Sequence, residues 1–188
     1  VSVADFNGDG REDLFLAQNF FPTEISLPRF DNGAGLVLLG DGKGGFSALS
    51  VQQSGIAMRG DQRGAAVADF DGDGRVDLAV GQNGGPTRLW RNVDGRPGLR
   101  VRVDGGPGNP DGIGAQLWIE SDSGVGPVRV LRAGSGYWST DGAVTVLATP
   151  SSSRALVIRW PSGREERFTL ETGIGERTVQ YANGRVTR

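Results

Sequence analysis

The stretch Asp69-Phe-Asp-Gly-Asp-Gly-Arg-Val-Asp77 sets acidic side chains at alternate positions around two glycines. In a calcium-binding loop, side-chain oxygens serve at positions such as 1, 3, 5 and 9, and a backbone carbonyl serves at position 7. Gly74 permits the sharp turn that such a loop needs. The predicted ligands are Asp69, Asp71, Asp73, the backbone carbonyl of Arg75, and Asp77. The spacing therefore predicts a cage of oxygen atoms for a hard cation.

The composition of the chain narrows the identity of that cation. The sequence holds no His and no Cys, so zinc, copper and iron–sulfur sites lack their usual ligands. Magnesium is rarely bound by a dedicated cage of protein groups, whereas calcium accepts many oxygen ligands in flexible geometry. We therefore expect calcium in this loop.

A second copy of the loop lies 64 residues earlier, as Asp5-Phe-Asn-Gly-Asp-Gly-Arg-Glu-Asp13. Residues 3–19 and 67–83 are identical at 12 of 17 positions, which indicates a structural repeat. The predicted ligands of this copy are Asp5, Asn7, Asp9, the backbone carbonyl of Arg11, and Asp13. The sequence therefore predicts two calcium sites, of which the later one carries the additional carboxylate and is expected to bind more tightly.

Two alternatives to this interpretation remain at the sequence level. Asp and Gly are also the residues of tight hairpin turns, so each copy could simply close a hairpin. An EF-hand would need a helix on each side and a Glu at position 12 of the loop. That position holds Leu16 in one copy and Val80 in the other, which argues against an EF-hand.

Composition and charge favour an all-β protein. The chain has 188 residues, of which 32 are Gly and 37% are hydrophobic, and this suits short strands joined by tight turns. The net charge is −2, and the arginines of the second half are spread out, so nucleic-acid binding has little support. No apolar run is long enough to predict membrane insertion. The chain begins without Met inside a repeat, so we expect a fragment of a longer protein.

Extended segments flank each loop. In the first copy they cover residues 1–4, 14–17, 35–39 and 46–49, and in the second copy residues 64–68, 78–80 and 87–91. Four antiparallel strands per unit, repeated at this period, describe blades of a β-propeller. Residues 20–35 interrupt the first unit and are expected to be packed down by Phe20, Phe21 and Phe30.

The repeated stretch, followed by the turn Gly40-Asp-Gly-Lys-Gly-Gly45, resembles the FG-GAP (VCBS-type) repeat of integrin-like β-propellers. The resemblance covers residues 1–95. It implies a partial propeller of one to two blades, with the acidic loop between the first two strands of each blade binding calcium.

From residue 99 the pattern changes to Leu-Arg-Val-Arg-Val103, in which apolar and charged side chains alternate. Arg100 and Arg102 are expected to form a solvated strand face. Further strands are predicted at residues 115–121, 128–132, 144–148, 155–160, 165–170 and 177–181. Residues 98–188 are therefore predicted to form a small antiparallel β-sandwich or barrel-like domain.

Three stretches of this half resemble the ASPIC/UnbV domain. They are Asn109-Pro-Asp-Gly-Ile-Gly-Ala115, Ala133-Gly-Ser-Gly-Tyr-Trp-Ser139 and Val157-Ile-Arg-Trp-Pro-Ser-Gly163. This domain is found after FG-GAP repeats in secreted and cell-surface proteins of the cartilage acidic protein type. The two resemblances together imply an extracellular or cell-surface protein.

Polar and aromatic residues in the glycine-rich loops of the second half are candidates for ligand binding. The candidates are Asn109, Asp111, Tyr137 and Trp138, and Trp160 could join the two aromatic residues. Turn formation is the alternative for Asn109 and Asp111, and burial in the core is the alternative for the aromatic residues. Trp90 and Trp118 lie in strand patterns and are expected in the core.

Catalysis has little support in the sequence. Without His or Cys, an enzyme would rely on carboxylates, and most candidates are better explained as metal ligands. We expect a non-catalytic, calcium-binding extracellular module for adhesion, with a protein or glycan partner. The alternative is a non-catalytic fragment of a carbohydrate-active secreted enzyme.

Overall fold

β-strands make up nearly all of the regular structure in the computed structural model, which describes residues 1–21, 24, 26–28, 31–170, 175–180 and 185–187. About 44% of the chain is strand and 2% is helix, so the predicted all-β class is confirmed. No helix in these ranges is both long and apolar enough to cross a membrane.

The first repeat folds into a four-stranded antiparallel sheet in the order β1-β2-β3-β4. Its strands are β1 (Ser2–Ala4), β2 (Asp13–Leu16), β3 (Leu36–Gly40) and β4 (Phe46–Ala48). The first acidic loop connects β1 to β2. This up-and-down sheet matches the predicted propeller blade.

A short helix, α1 (Val51–Ser54), follows the first sheet and was not predicted. Ser50 accepts a hydrogen bond from the backbone N–H of Gln53, and the Gln53 side chain accepts one from the Ser50 N–H. This reciprocal arrangement is a capping box. Gly55 ends the helix in the left-handed conformation, with φ of 68°.

The second repeat forms a three-stranded antiparallel sheet of β5 (Asp61–Ala68), β6 (Asp77–Asn83) and β7 (Gly85–Trp90). The second acidic loop connects β5 to β6. Two register shifts interrupt this sheet, because residues 63–64 of β5 and residues 86–87 of β7 each face the single residue Gly81 of β6. Within the described residues the second blade has no fourth strand, as the sequence indicated.

The two blades share one apolar core. Its buried members are Phe15, Val37, Ile56, Met58, Ala65, Leu78 and Val80, with Trp90 packed against them. The expectation that Phe20 and Phe21 are packed down is wrong, because they are 53% and 40% exposed. Phe30 lies outside the described residues.

The C-terminal half forms two sheets that enclose a single core. One sheet has the order β10-β9-β13-β14 with β11 also paired to β9, and the other has the order β12-β8-β15-β16. The strands are β8 (Leu99–Asp104), β9 (Gln116–Ser121), β10 (Gly124–Val125), β11 (Arg129–Val130), β12 (Val144–Leu147), β13 (Ser153–Arg159), β14 (Glu165–Thr169), β15 (Glu176–Gln180) and β16 (Arg185–Thr187). No closed barrel forms in the described parts, so the sandwich is the correct alternative. Residue 181, which the sequence placed in the last predicted strand, lies outside the described residues.

Alternating side chains of these strands fill the sandwich. Leu99, Val101 and Val103 of β8 point into the core with Leu117 and Ile119 of β9. Burying this many branched side chains, at roughly 1.5–3 kcal/mol each, is the main stabilisation of the unit. One pair departs from the predicted antiparallel pattern, because β15 runs parallel to β8.

A linker, residues 91–98, joins the two halves and passes across both acidic loops. The Arg96 N–H donates to the carbonyl of Asn7 at 3.0 Å, and the Gly98 N–H donates to the carbonyl of Gly74 at 2.8 Å. A Cβ on Gly8 would lie 2.3 Å from the Arg96 carbonyl oxygen, so only glycine fits there. The linker is therefore part of the packed structure.

Candidate functional site

The Asp69 carboxylate organises the backbone of the second acidic loop. Its Oδ1 accepts the N–H groups of Gly72 and Asp73 at 2.8 and 3.0 Å, and its Oδ2 accepts the Gly74 N–H at 2.8 Å. Gly72 and Gly74 have φ of 78° and 82°, a region that glycine enters without steric cost. These turns direct three consecutive N–H groups at one buried carboxylate.

Asp77 closes the same loop from its other end. It is 2% exposed, and its carboxylate accepts the N–H groups of Phe70 at 3.0 Å and Asn92 at 2.7 Å. Burial raises the pKa of Asp77, while the bonds from Asn92 and Phe70 oppose that shift. Asp77 therefore connects its own strand, β6, to the acidic loop at Phe70 and to the linker at Asn92. Its carboxylate is only partly solvated.

Asp69, Asp71 and Asp77 form the one cluster of potential metal ligands found among the described residues. One carboxylate oxygen from each lies within 4.8 Å of the others. Asp69 and Asp77 are buried and Asp71 is exposed, so an ion would be reached from the solvent side. A set made only of oxygen atoms fits calcium better than a transition metal.

Asp73, a predicted ligand, lies outside this cluster and is paired with arginines. The Arg75 guanidinium lies 2.9 Å from Asp73, and Arg91 lies 3.2 Å from it. Burial alone would raise the pKa of Asp73, but hydrogen bonds from Arg75 and Arg91 outweigh it and lower that pKa. The Arg75 side chain also donates its Nε–H to the Gly95 carbonyl at 2.6 Å. The backbone carbonyl of Arg75 remains a predicted ligand.

Arg100 is a partner of the loop that the sequence did not indicate. Its Nε–H donates to Oδ2 of Asp69 at 2.7 Å, and its guanidinium also pairs with Glu176 on the neighbouring strand β15. The prediction that Arg100 lies on a solvated face is therefore wrong, whereas Arg102 is exposed as expected. Arg91 pairs with Asp71. Two of the clustered carboxylates, Asp69 and Asp71, are therefore already paired with arginine side chains of the same chain.

The first acidic loop has the same backbone arrangement. Asp5 accepts the N–H groups of Gly8, Asp9 and Gly10 at 2.8, 3.0 and 2.7 Å. Asp13 accepts those of Phe6 and Gly40, both at 2.9 Å. Burial is the main cause that raises the pKa of both Asp5 and Asp13.

The side chains of the first loop are arranged differently from those of the second. The Asn7 amide donates to Asp9 at 3.1 Å, and the Arg11 guanidinium lies 3.8 Å from Asp9. Within the described ranges, no three carboxylates of this loop come as close together as those of the second loop. The second loop is therefore the better assembled of the two predicted sites.

The four predicted ligand-binding residues of the C-terminal half do not converge on one site. Asn109 bridges its own loop, donating to the Ile113 carbonyl at 2.9 Å and accepting the Ile113 N–H at 2.8 Å, so the turn alternative explains it. Asp111 lines a cleft of about 550 Å³ between the two halves. Tyr137 and Trp138 line a different cleft.

The aromatic residues divide into two groups. Trp118 and Trp160 are 7% and 2% exposed, in agreement with the prediction for Trp118 and with the core alternative for Trp160. Tyr137 and Trp138 are 67% and 89% exposed, so the core alternative is wrong for them. The strand pattern separates Trp118 from the loop aromatics, but no local pattern separates Trp160 from Tyr137 and Trp138, because the exposure of a loop residue depends on which surface the loop faces.

Comparison with protein-family models gives two matches. Residues 5–80 match the FG-GAP-like repeat, and residues 105–186 match the family described as ASPIC and UnbV. No curated protein sequence matched the chain. FG-GAP repeats are typically extracellular. Both resemblances seen in the sequence are confirmed, in the same order along the chain.

Proposed function

We propose that this chain, which joins an FG-GAP-like repeat region to an ASPIC/UnbV domain, is a non-catalytic extracellular binding module stabilised by calcium. The observation that carries the proposal is the cluster of Asp69, Asp71 and Asp77, with oxygen atoms within 4.8 Å of one another. These three residues would hold the ion in the second loop. The calcium supplies positive charge that neutralises the clustered carboxylates.

Calcium would act by cross-linking strands of one blade. Asp69 follows β5 directly and Asp77 begins β6, so an ion held by both joins two adjacent strands. A ligand that binds only the folded form stabilises it by RT ln(1 + [L]/Kd), about 2.7 kcal/mol at a hundredfold excess. This is a substantial share of the stability of a small domain.

The internal arginines favour modest affinity. Arg91 and Arg100 already pair with Asp71 and Asp69, so a cation must compete with them. Extracellular calcium modules have Kd of roughly 10⁻⁴ to 10⁻³ M, a range that fits such competition. Sites of that affinity fill outside a cell and stay largely empty in the cytosol.

The non-catalytic part of the proposal is supported by how the carboxylates are used. Asp5, Asp13, Asp69 and Asp77 are bound to backbone N–H groups of their own loops and strands. The chain holds no His or Cys to act as base or nucleophile. We therefore propose that the chain binds a protein or glycan partner at the cell surface or in the matrix.

Calorimetric titration of calcium into the chelator-stripped chain tests this proposal. We expect binding with a Kd of about 10⁻⁴ to 10⁻³ M, a raised melting temperature, and weaker binding of magnesium. Asp71→Asn should weaken binding because it removes one of the three clustered carboxylates. Asp71 is exposed, so the substitution leaves the buried carboxylates in place. Asp111→Asn, an exposed Asp outside both loops, is the matched control. No calcium heat up to ~10 mM, well above that range, would overturn the proposal.

A further inference from the structure

A cleft of about 720 Å³ lies between the second blade and the C-terminal half, and neither acidic loop contributes to its lining. We name it the aromatic cleft, because Phe20, Tyr137 and Trp138 form its rim. Its volume falls within the range of roughly 300–1,000 Å³ that is typical of small-molecule sites. The three rim side chains are 53%, 67% and 89% exposed.

A tight turn presents Tyr137 and Trp138 to solvent. Gly136 and Ser139 form an isolated β-bridge, and the Ser135 N–H donates to the Ser139 carbonyl at 3.1 Å. Trp138 has φ of 52°, a conformation that is strained for a bulky side chain and is often kept at functional sites. The two ring centroids lie 6.1 Å apart with planes tilted by 52°, so the pair forms an angled apolar surface.

The turn is fixed to the second blade by contacts with β5. The Val67 N–H donates to Asp141 and the Val67 carbonyl accepts the Gly142 N–H, both at 2.9 Å. A Cβ on Gly64 would lie 2.7 Å from the Tyr137 carbonyl oxygen, so glycine permits this close approach. The backbone that carries the aromatic pair is therefore held in place before any ligand arrives, which reduces the entropy cost of binding.

The floor of the aromatic cleft is formed by small residues, whose short side chains leave the backbone close to the surface. Gly64, Ala66, Ala79 and Gly81 line it. Gly64 belongs to the bulge of β5, and Gly81 is the single β6 residue that faces this bulge and the one in β7. A bulge leaves its extra residue out of the ladder of hydrogen bonds and occurs frequently beside binding sites. A floor without large side chains offers no deep apolar pocket for an anchoring residue of a protein partner.

The polar part of the lining is neutral. Amides and hydroxyls are supplied by Gln82, Asn83, Thr87 and Thr140, and none of the described lining side chains is a carboxylate. The Gln82 and Asn83 amide nitrogens also donate within the protein, to the Pro86 carbonyl and to Asp61. The one charged group of the lining, Arg63, lies 2.7 Å from the buried carboxylate of Asp61 and 4.6 Å over the Phe20 ring. The charge of Arg63 is therefore compensated within the protein, which disfavours an anionic ligand.

We infer that the aromatic cleft binds a neutral oligosaccharide, with one pyranose ring stacked on Trp138 and its hydroxyls facing the amide and hydroxyl side chains. A pyranose ring has an apolar C–H face and a polar edge, and an exposed aromatic ring beside neutral hydrogen-bonding groups matches both. This inference rests on the proposed binding function and names its ligand class. It requires no metal in the cleft.

Fluorescence of the full chain provides the test. Of the four tryptophans, Trp118 and Trp160 are buried and Trp90 is half-buried, so iodide quenching reports mainly on Trp138. Neutral trisaccharides of glucose, galactose, mannose or N-acetylglucosamine are titrated separately, and one of them is expected to reduce quenching in a saturable manner. Sulfated and carboxylated oligosaccharides, and a peptide library, form the other arms.

Variants locate the site. Binding, measured by calorimetry, should fall at least tenfold in Trp138→Gly, whose melting temperature stays the same or rises because glycine relieves the positive φ. Tyr137→Ala should weaken binding less, and Trp138→Phe should retain part of it. Phe46→Ala removes an aromatic side chain that is 48% exposed and does not line the cleft, so it should leave binding unchanged.

Two outcomes would overturn the inference. One is the absence of saturable binding by every neutral sugar, and the other is sugar binding that Trp138→Gly leaves intact. Binding of only the anionic sugars or only peptides belongs to the first of these outcomes. Calcium titration of the same samples separates the two proposals, because calcium binding without sugar binding rejects this inference and leaves the calcium-stabilised module standing.

Discussion

The two acidic loops share one backbone design and differ in the charges around it. Asp5 and Asp69 each accept three N–H groups from the glycine-rich turn, and Asp13 and Asp77 each accept two. A carboxylate has about four lone-pair positions. In the second loop Arg100 takes a fourth position on Asp69, whereas no arginine bonds Asp5 in the described part of the chain.

This difference shows that repeated sequence fixes the loop framework, while the surroundings fix its charge. Arg91 and Arg100 come from outside the repeated stretch, from the linker and from β8. The first loop instead has an Asn at its third position and the loosely paired Arg11. The arginine that reaches it from outside the repeat, Arg129 of β11, pairs with Glu12 and not with a predicted ligand. Near-identical loops in one chain can therefore differ in cation affinity.

The largest effect is expected from the carboxylates that make the two loops alike. Asp13→Ala and Asp77→Ala each leave two buried or partly buried backbone N–H groups without an acceptor, at about 1–3 kcal/mol per group. Each variant should therefore lose about 2–6 kcal/mol of unfolding free energy, measured by urea denaturation in chelator. Near-wild-type stability in only one of them would show that the loops do not share a framework.

The next effect concerns the residue at the third loop position. Exchanging charge at that position, by Asn7→Asp in the first loop and Asp71→Asn in the second, should tighten the first site and weaken the second by about tenfold, or ~1.4 kcal/mol. Site-resolved calcium titration by NMR measures both. If neither affinity moves, loop rigidity and not ligand charge sets the difference between the sites.

A smaller effect is expected at Arg100. Arg100→Gln removes a positive charge bonded to Asp69, so calcium affinity of the second loop should rise about three- to fivefold after solvent screening is considered. Arg102→Gln, on the same strand but exposed, is the control and should change little. A loss of affinity in Arg100→Gln would mean that the guanidinium positions Asp69 for the ion.

The smallest effect is the pH dependence of the metal-free protein. The pKa of Asp5 is raised mainly by burial. At pH values between the pKa of 3.8 in the unfolded chain and the raised pKa in the folded chain, the folded form therefore binds more protons than the unfolded form. Stability from this group therefore increases as pH falls through that window. The pKa of Asp73 is lowered by Arg75 and Arg91 against the opposing effect of burial, so its contribution is present above 3.8 and is lost as pH falls below it.

Urea midpoints measured across this range in chelator should show the two behaviours separately. Asp5→Asn should reduce the dependence above pH 3.8, to which Asp13 and Asp77 also contribute, and Asp73→Asn should alter it only below that value. Equal changes from both variants in one window would indicate that the loops titrate as one unit.

Local patterns in the sequence predicted the strands and the acidic loops well. Alternating apolar side chains place β8 correctly, because a strand with one buried face repeats every two residues. The capping box of α1 was also visible, as Ser50 followed three residues later by Gln53, and a search for that signal would have found the helix.

Contacts between distant segments could not be predicted from such patterns. Arg100 meets Asp69 from 31 residues away, and its alternation with Leu99 and Val101 is the same as that of a solvated residue. The parallel pairing of β8 with β15 and the exposure of Trp138 likewise depend on how two folded halves come together. Side-chain type alone carries no information about that arrangement.

The linker gives the molecule a defined path for mechanical load. Tension applied to the C-terminal sandwich reaches the propeller blades through residues 91–98. In this linker the N–H groups of Arg96 and Gly98 donate hydrogen bonds to the carbonyls of Asn7 and Gly74. The second blade is also joined to the linker covalently through β7, so these two hydrogen bonds spread part of the load to both acidic loops. Under the proposed function, an ion held by Asp69, Asp71 and Asp77 would stiffen the second of these loops, and extracellular calcium would then add to the resistance of the chain to tension.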